Sequence, residues 1–146
     1  MRIGNPVMLE KQLSFAVYTA GLAFNKRYKP LLNPLELTYP QYLVMLVLWE
    51  SDGLTVGAIG DRLLLDSATL TPLLKRLEAA GRVKRFRDPG DERQVLITLT
   101  KDGQALKYAA SSLTRSMDQA TGLDRTAAES LRNQLVRLRC SLATAA

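Results

Sequence analysis

Between Ser67 and Arg87 the chain sets three hydroxyls, Ser67, Thr69 and Thr71, ahead of six cations, Lys75, Arg76, Arg82, Lys84, Arg85 and Arg87, with Glu78 as the single acid. Hydroxyls and backbone N–H groups at a helix start suit phosphate oxygens and base edges, and Arg or Lys can bond the paired acceptors of guanine. The stretch carries +5 of a total net charge of +6. The positive field is therefore local, which fits a polyanionic partner such as double-stranded DNA. A charge run can also be a merely solvated face, and Glu78 reads as a surface acid. The elements that carry these residues must decide.

Other chemistries find little support. The chain has no histidine and one cysteine, Cys140, so an ordinary zinc cage, an intrachain disulfide and histidine-activated nucleophiles are all missing. Asp61 and Asp66 beside Ser67-Ala68-Thr69 make no recognisable triad or acid-base pair, and no glycine loop cradles a phosphate. No enzyme, cofactor or metal is expected. The opening residues show no leader pattern, and the longest apolar run, Leu43 to Trp49, is far below the ~20 residues a bilayer span needs. A cytoplasmic protein with one domain over residues 1–146 is the expectation.

The order of elements agrees with DNA reading. Leu9, Leu13, Ala16, Val17, Ala20, Phe24 and Leu31 predict a helix over Leu9–Leu32, closed by Pro30 and Pro34. Thr38-Tyr39-Pro40-Gln41 has the form of a capping box and opens a nearly all-apolar helix to Ser51. Thr55, in the short extended piece Leu54–Val56, caps a third helix through Ile59 and Leu63. A fourth follows Leu65-Asp66-Ser67, with Leu70, Leu73, Leu74 and Leu77 on one face and Gly81 as its stop; Pro72 predicts an irregular opening turn. Arg82–Arg87 and Gln94–Thr98 alternate as a hairpin around Asp88-Pro89-Gly90-Asp91, a loop longer than two residues. Thr100 and Asp124 then cap two long helices, broken at Thr121-Gly122.

A short helix, a tight connection, an amphipathic helix and a basic hairpin make a winged helix-turn-helix within a mainly α fold, whose second helix enters the major groove. Its outer side presents Ser67, Thr69, Thr71, Lys75 and Arg76. Lys84, Arg85, Arg87 and Arg93 sit on the hairpin, where they can ride on phosphates or enter a minor groove; Asp91 and Arg93 can pair within it. The first helix and the last two carry apolar stripes suited to interlocking as a homodimer, which implies a pseudopalindromic operator. Residues of about 1–37 and 100–146 would then dimerise, and about 38–99 would form the DNA-binding lobe.

LTYPQYLVMLVLWE, LDSATLTPLLKRLEAAGRVKR and DERQVLITLTKDG resemble the MarR family of transcriptional regulators over nearly the whole chain. QLSFAVY, YKPLLNPLELTYPQY and LDSATLTPLLKR are similar to its organic-hydroperoxide-sensing OhrR branch. The resemblance implies a repressor released when an organic hydroperoxide oxidises a cysteine in the first helix, where the branch reads much like QLCFALY. Ser14 stands at that position. The tyrosines that bond the cysteine from the partner subunit match Tyr28 and Tyr39. A serine hydroxyl has no thiolate nucleophilicity and no oxidation ladder. Ser14 therefore implies an oxidation-insensitive regulator, either an engineered Cys→Ser exchange that locks the reduced form or a natural relative whose trigger changed. Cys140 reads as a passive thiol. Two other readings stay open: a MarR-type repressor released by a small aromatic ligand near Tyr28, Tyr39 and Trp49, and a winged-helix interaction module that does not read DNA.

Overall fold

A computed structural model describes residues 7–145. The described residues cluster into two compact units that divide between Ser111 and Ser112. The first unit begins with a 3₁₀ turn, Leu9–Lys11, followed by α1 (Leu13–Leu32). The first helix is thus shorter than expected at its start, because Gln12 is extended (φ −85°, ψ 117°). Pro30 lies inside α1, which ends two residues later in a 3₁₀ turn, Asn33–Leu35, with Glu36 left-handed at φ 55°.

Helix α2 (Tyr39–Glu50) starts as its sequence requires. Thr38 accepts a hydrogen bond from the Gln41 amide, and Gln41 Oε1 accepts one from the Thr38 amide at 2.9 Å. Tyr42, Val44, Met45, Val47 and Leu48 are buried, so α2 is the spine of this unit. A short strand, β1 (Leu54–Thr55), leads into α3 (Val56–Leu63), capped by Thr55 through the Ala58 amide at 3.1 Å.

Helix α4 (Ser67–Ala79) is capped by Asp66, which accepts from the Thr69 amide at 2.7 Å. Leu70, Leu73, Leu74 and Leu77 are all buried, as the i, i+3, i+4, i+7 spacing requires. The irregular opening turn expected from Pro72 is absent, and α4 runs unbroken through it. Proline removes the bond to the carbonyl four residues back, which is that of Ala68. Ala68 is exposed, so water can satisfy it while the buried leucines hold the axis.

Strands β2 (Val83–Asp88) and β3 (Asp91–Leu99) complete an antiparallel sheet of order β1-β3-β2. The loop is shorter than expected. Asp88 pairs with Asp91, leaving only Pro89-Gly90 between the strands, while Arg87 pairs with Val95. The three residues left between these pairs, Glu92, Arg93 and Gln94, form a bulge in β3, which bends and twists a hairpin locally. Thr100 caps α5 (Lys101–Ala120), its hydroxyl accepting from the Gly103 amide at 3.0 Å.

The second unit holds the last part of α5, where Leu113 and Met117 are buried, and α6 (Arg125–Thr144), capped by Asp124. No residue of α6 is buried, and Leu131, Leu135, Val136 and Leu142 are exposed. In the first unit, α1 likewise exposes Leu13, Val17, Tyr18, Leu22 and Phe24. Among the described residues no helix is long and apolar enough to cross a membrane.

Candidate nucleic-acid interface

With its four leucines turned inward, α4 presents Ser67, Thr69, Lys75 and Arg76 as exposed residues, and Thr71 as half-buried. Hydroxyls sit in its first turns and cations beyond them, the arrangement a groove-reading helix needs. A cleft of about 390 Å³ brings Ser67 and Thr71 together with Thr55, Gly57, Arg93 and Gln94. Three of the residues singled out from sequence therefore share one concavity, formed by the starts of α3 and α4 and the bulged part of β3. Donors converge there: two hydroxyls at a helix start and a guanidinium.

Arg93 is 93% exposed, with its Nε 3.5 Å from Asp91. The same Asp91 oxygen accepts from the Arg93 amide at 3.1 Å, so the Asp-x-Arg sequence folds back on itself and fixes the bulge. Arg87 donates to the Glu92 carbonyl at 2.7 Å, which braces the opposite strand. Lys84 is exposed.

Two cations of the basic run are half-buried and tied to other parts of the protein. Arg85 donates its amide to Glu78 Oε2 at 2.9 Å and its Nε–H to Oε1 at 3.2 Å. Glu78 is thus a tie between α4 and β2, correcting its reading as a surface acid. Arg82, whose side chain is 17% exposed, points away from the basic face toward the α1–α2 connection: its Nη2 lies 3.4 Å from the Leu35 carbonyl and 3.6 Å from Glu36. Its Nε is buried without a hydrogen-bond partner. Charge counting along the sequence cannot separate such inward arginines from outward ones. A carboxylate seven residues before Arg85, across a helix-to-strand turn, was the available signal.

Acid should loosen this lobe. Hydrogen bonding to the Thr69 amide holds the Asp66 carboxyl below its ordinary value of 3.8, and the Arg85 amide does the same for Glu78, ordinarily 4.5. A carboxyl with a lowered folded-state value contributes stability fully above its unfolded value and loses it as pH falls through the folded one. The melting temperature is expected to drop on acidification below about pH 4.5. Asp66→Asn with Glu78→Gln should flatten that part of the profile, and an unchanged slope would show that other carboxylates dominate.

The residues tied by sequence to redox sensing lie apart along the chain. Ser14 is exposed in the first turn of α1. Tyr28 stacks against Tyr39 with ring centroids 4.7 Å apart, and the cluster continues through Tyr42 to Trp49. Fourteen residues of helix separate Ser14 from Tyr28, a rise of about 21 Å. One protomer cannot bring them together. Burial, helped by the Tyr42 phenol, pushes the Tyr39 phenol above its ordinary value. Cys140 is exposed in α6, and the described residues hold no cluster suited to a metal ion.

Comparison with known proteins follows the same lines. Residues 26–109 match the family model for the transcriptional regulator SarA/Rot. The chain is 52% identical over 94% of its length to the HTH-type transcriptional regulator TtmR of Methylorubrum extorquens, covering 71% of that protein. It is 48% identical over 85% of its length to the organic hydroperoxide resistance transcriptional regulator of Bacillus subtilis, covering 82% of it. A structure of reduced AbfR, a protein of Staphylococcus epidermidis, bound to DNA superposes with a TM-score of 0.79 at 39% identity, over 92% of this chain and 93% of that one. A basic, leucine-backed helix beside a short-looped hairpin, in a chain whose relatives are regulators rather than enzymes, identifies this protein as a member of the MarR-like family of winged helix-turn-helix transcriptional regulators.

Proposed function

We propose that the chain is a cytoplasmic, homodimeric repressor of organic-hydroperoxide resistance genes that keeps its hold on DNA in the presence of hydroperoxide. The observation that carries the DNA part is α4, whose buried Leu70, Leu73, Leu74 and Leu77 leave Ser67, Thr69, Lys75 and Arg76 outward beside the cleft containing Arg93. The hydroperoxide part rests on the relative from Bacillus subtilis. The missing response rests on Ser14.

Residues 38–99 bind DNA in this reading, and residues 1–37 and 100–146 dimerise. Exposed apolar side chains along α1 and α6 support the second role, since contiguous apolar faces of this kind mark interfaces. A two-fold dimer presents two copies of α4 to half-sites about one helical turn apart, hence a pseudopalindromic operator. Ser67, Thr69, Thr71, Lys75 and Arg76 read or grip the major groove. Lys84, Arg87 and Arg93 serve the wing, and Arg85 contributes through its tie to Glu78.

The test is selection of bound duplexes from a random library, followed by anisotropy at several salt concentrations. A palindromic consensus with a steep salt dependence is expected. Lys75→Ala or Arg76→Ala should cost about 1–3 kcal/mol on the selected duplex if the side chain reads a base, and should weaken all duplexes alike if it meets a phosphate. Recovery of no consensus would contradict sequence-specific binding. A second reading is favoured by the packed rings of Tyr28, Tyr39, Tyr42 and Trp49: a small aromatic effector that inserts near them would release DNA reversibly, without covalent change.

A further inference from the structure

An acid on a face that meets a polyanion opposes binding, so Glu78 calls for a physical reason. It lies in the last turn of α4, and both of its oxygens are used by one residue of β2: Oε2 accepts the Arg85 amide at 2.9 Å and Oε1 accepts Arg85 Nε–H at 3.2 Å. Strand β2 is the outer strand of the sheet, so its outward amides have no further strand to bond. Glu78 takes one of them. The only covalent link between α4 and β2 is Ala80-Gly81-Arg82, in which Gly81 is left-handed at φ 77°. The joint itself is held, the Arg82 amide donating to the Leu77 carbonyl at 2.9 Å and Thr100 donating to the Gly81 and Arg82 carbonyls; further out along β2, the Glu78–Arg85 pair ties the strand back to α4.

We propose that Glu78 is a positioning residue for DNA binding, setting the angle of the wing against the recognition helix by clamping Arg85. From Arg85 to the Pro89-Gly90 tip is about 15 Å at ~3.3 Å per residue. A rotation of about 10° at Arg85 would carry the tip through roughly 2.5 Å, enough to break a hydrogen bond to phosphate or base. The clamp thus works through geometry against its own charge. Those same Arg85 donors hold the Glu78 carboxyl below its ordinary value.

This inference rests on the reading that α4 and the wing grip DNA together. It makes a prediction of opposite sign to electrostatics. With a duplex of about 30 base pairs, long enough for two half-sites one turn apart, selected by the unsubstituted protein, and a random duplex of equal length, dissociation constants are compared for Glu78→Ala and Glu78→Gln. Glu78→Ala should bind the selected duplex roughly tenfold more weakly, with a reduced preference over the random one. Glu78→Gln keeps one acceptor oxygen but turns an amide NH2 toward the other Arg85 donor, so it should also weaken the selected duplex, by less than Glu78→Ala does. Tighter binding of both duplexes by either variant would mean that Glu78 acts only as a repelling charge, and overturns the proposal. If Glu78→Ala does not fold, Glu78→Gln decides alone, since loss of the charge without the clamp's geometry mattering would tighten binding on both duplexes. A random duplex bound as well as the selected one by the unsubstituted protein would overturn the DNA reading itself, and this inference with it.

Discussion

Gly103→Ala is expected to lower the melting temperature by roughly 10 °C, a loss of about 2–4 kcal/mol. Gly103 is buried in the first turn of α5, and a β-carbon there would be driven into the Arg82 carbonyl oxygen, 3.1 Å from the carbonyl carbon and 3.3 Å from Leu99 Cδ2. That carbonyl cannot easily yield, because it accepts from both the amide and the hydroxyl of Thr100, each at 3.1 Å. The Gly103 carbonyl in turn accepts from Trp49 Nε1 at 2.9 Å, tying α5 to α2. Alanine is the better helix former by about 1 kcal/mol, so the sign depends on whether the turn can slide. The backbone partners say it cannot. Gly57→Ala, where the new β-carbon meets only Thr55 Oγ1 at 3.9 Å, is the matched control and should be neutral or slightly stabilising. A melting temperature unchanged by Gly103→Ala would show that α5 is not seated on the wing root.

The second large effect concerns Ser14. A thiolate there would attack the O–O bond of an organic hydroperoxide, forming a sulfenic acid and releasing the alcohol, with sulfur oxidised and peroxide reduced. Serine cannot follow, since its hydroxyl is neither acidic enough nor able to occupy those oxidation states. Ser14→Cys is therefore expected to give a hydroperoxide response that the proposed function denies to the unsubstituted protein. Because Tyr28 lies about 21 Å along α1 from position 14, the tyrosine hydroxyls that would hold the thiolate must come from a second copy of the chain. A dimer disrupted at the exposed face of Leu13, Val17 and Phe24 should accordingly lose the acquired response.

Local signals carried much of the fold. The capping box at Thr38, the caps at Thr55, Thr100 and Asp124, and the leucine spacing of α4 each act within a turn or two, where residue type and hydrogen-bond geometry are directly linked. Pro72 misled because its cost falls on the carbonyl of an exposed residue, Ala68, while four buried leucines hold the helix. Asp88 and Asp91 looked like loop although they pair, and the bulge at Glu92-Arg93-Gln94 was hidden, because turn-forming residues serve both turns and strands and only the partner register separates the two. In the site, Ser67, Thr71 and Arg93 were identifiable one by one, but their common cleft depends on the bulge that aims Arg93. Arg82 and Glu78 were hidden for a related reason: charge is read along the chain, whereas its compensation by Glu36 and Arg85 is set by packing.

The most direct test of the account is fluorescence anisotropy of a selected duplex in one buffer, with the unsubstituted protein and Ser14→Cys side by side, before and after addition of cumene hydroperoxide. The account predicts that the unsubstituted protein stays bound and that Ser14→Cys weakens by at least about tenfold, or 1.4 kcal/mol, with recovery on thiol reduction. Release of both proteins, or of neither, would contradict the assignment of position 14 as the point where hydroperoxide and DNA binding are linked.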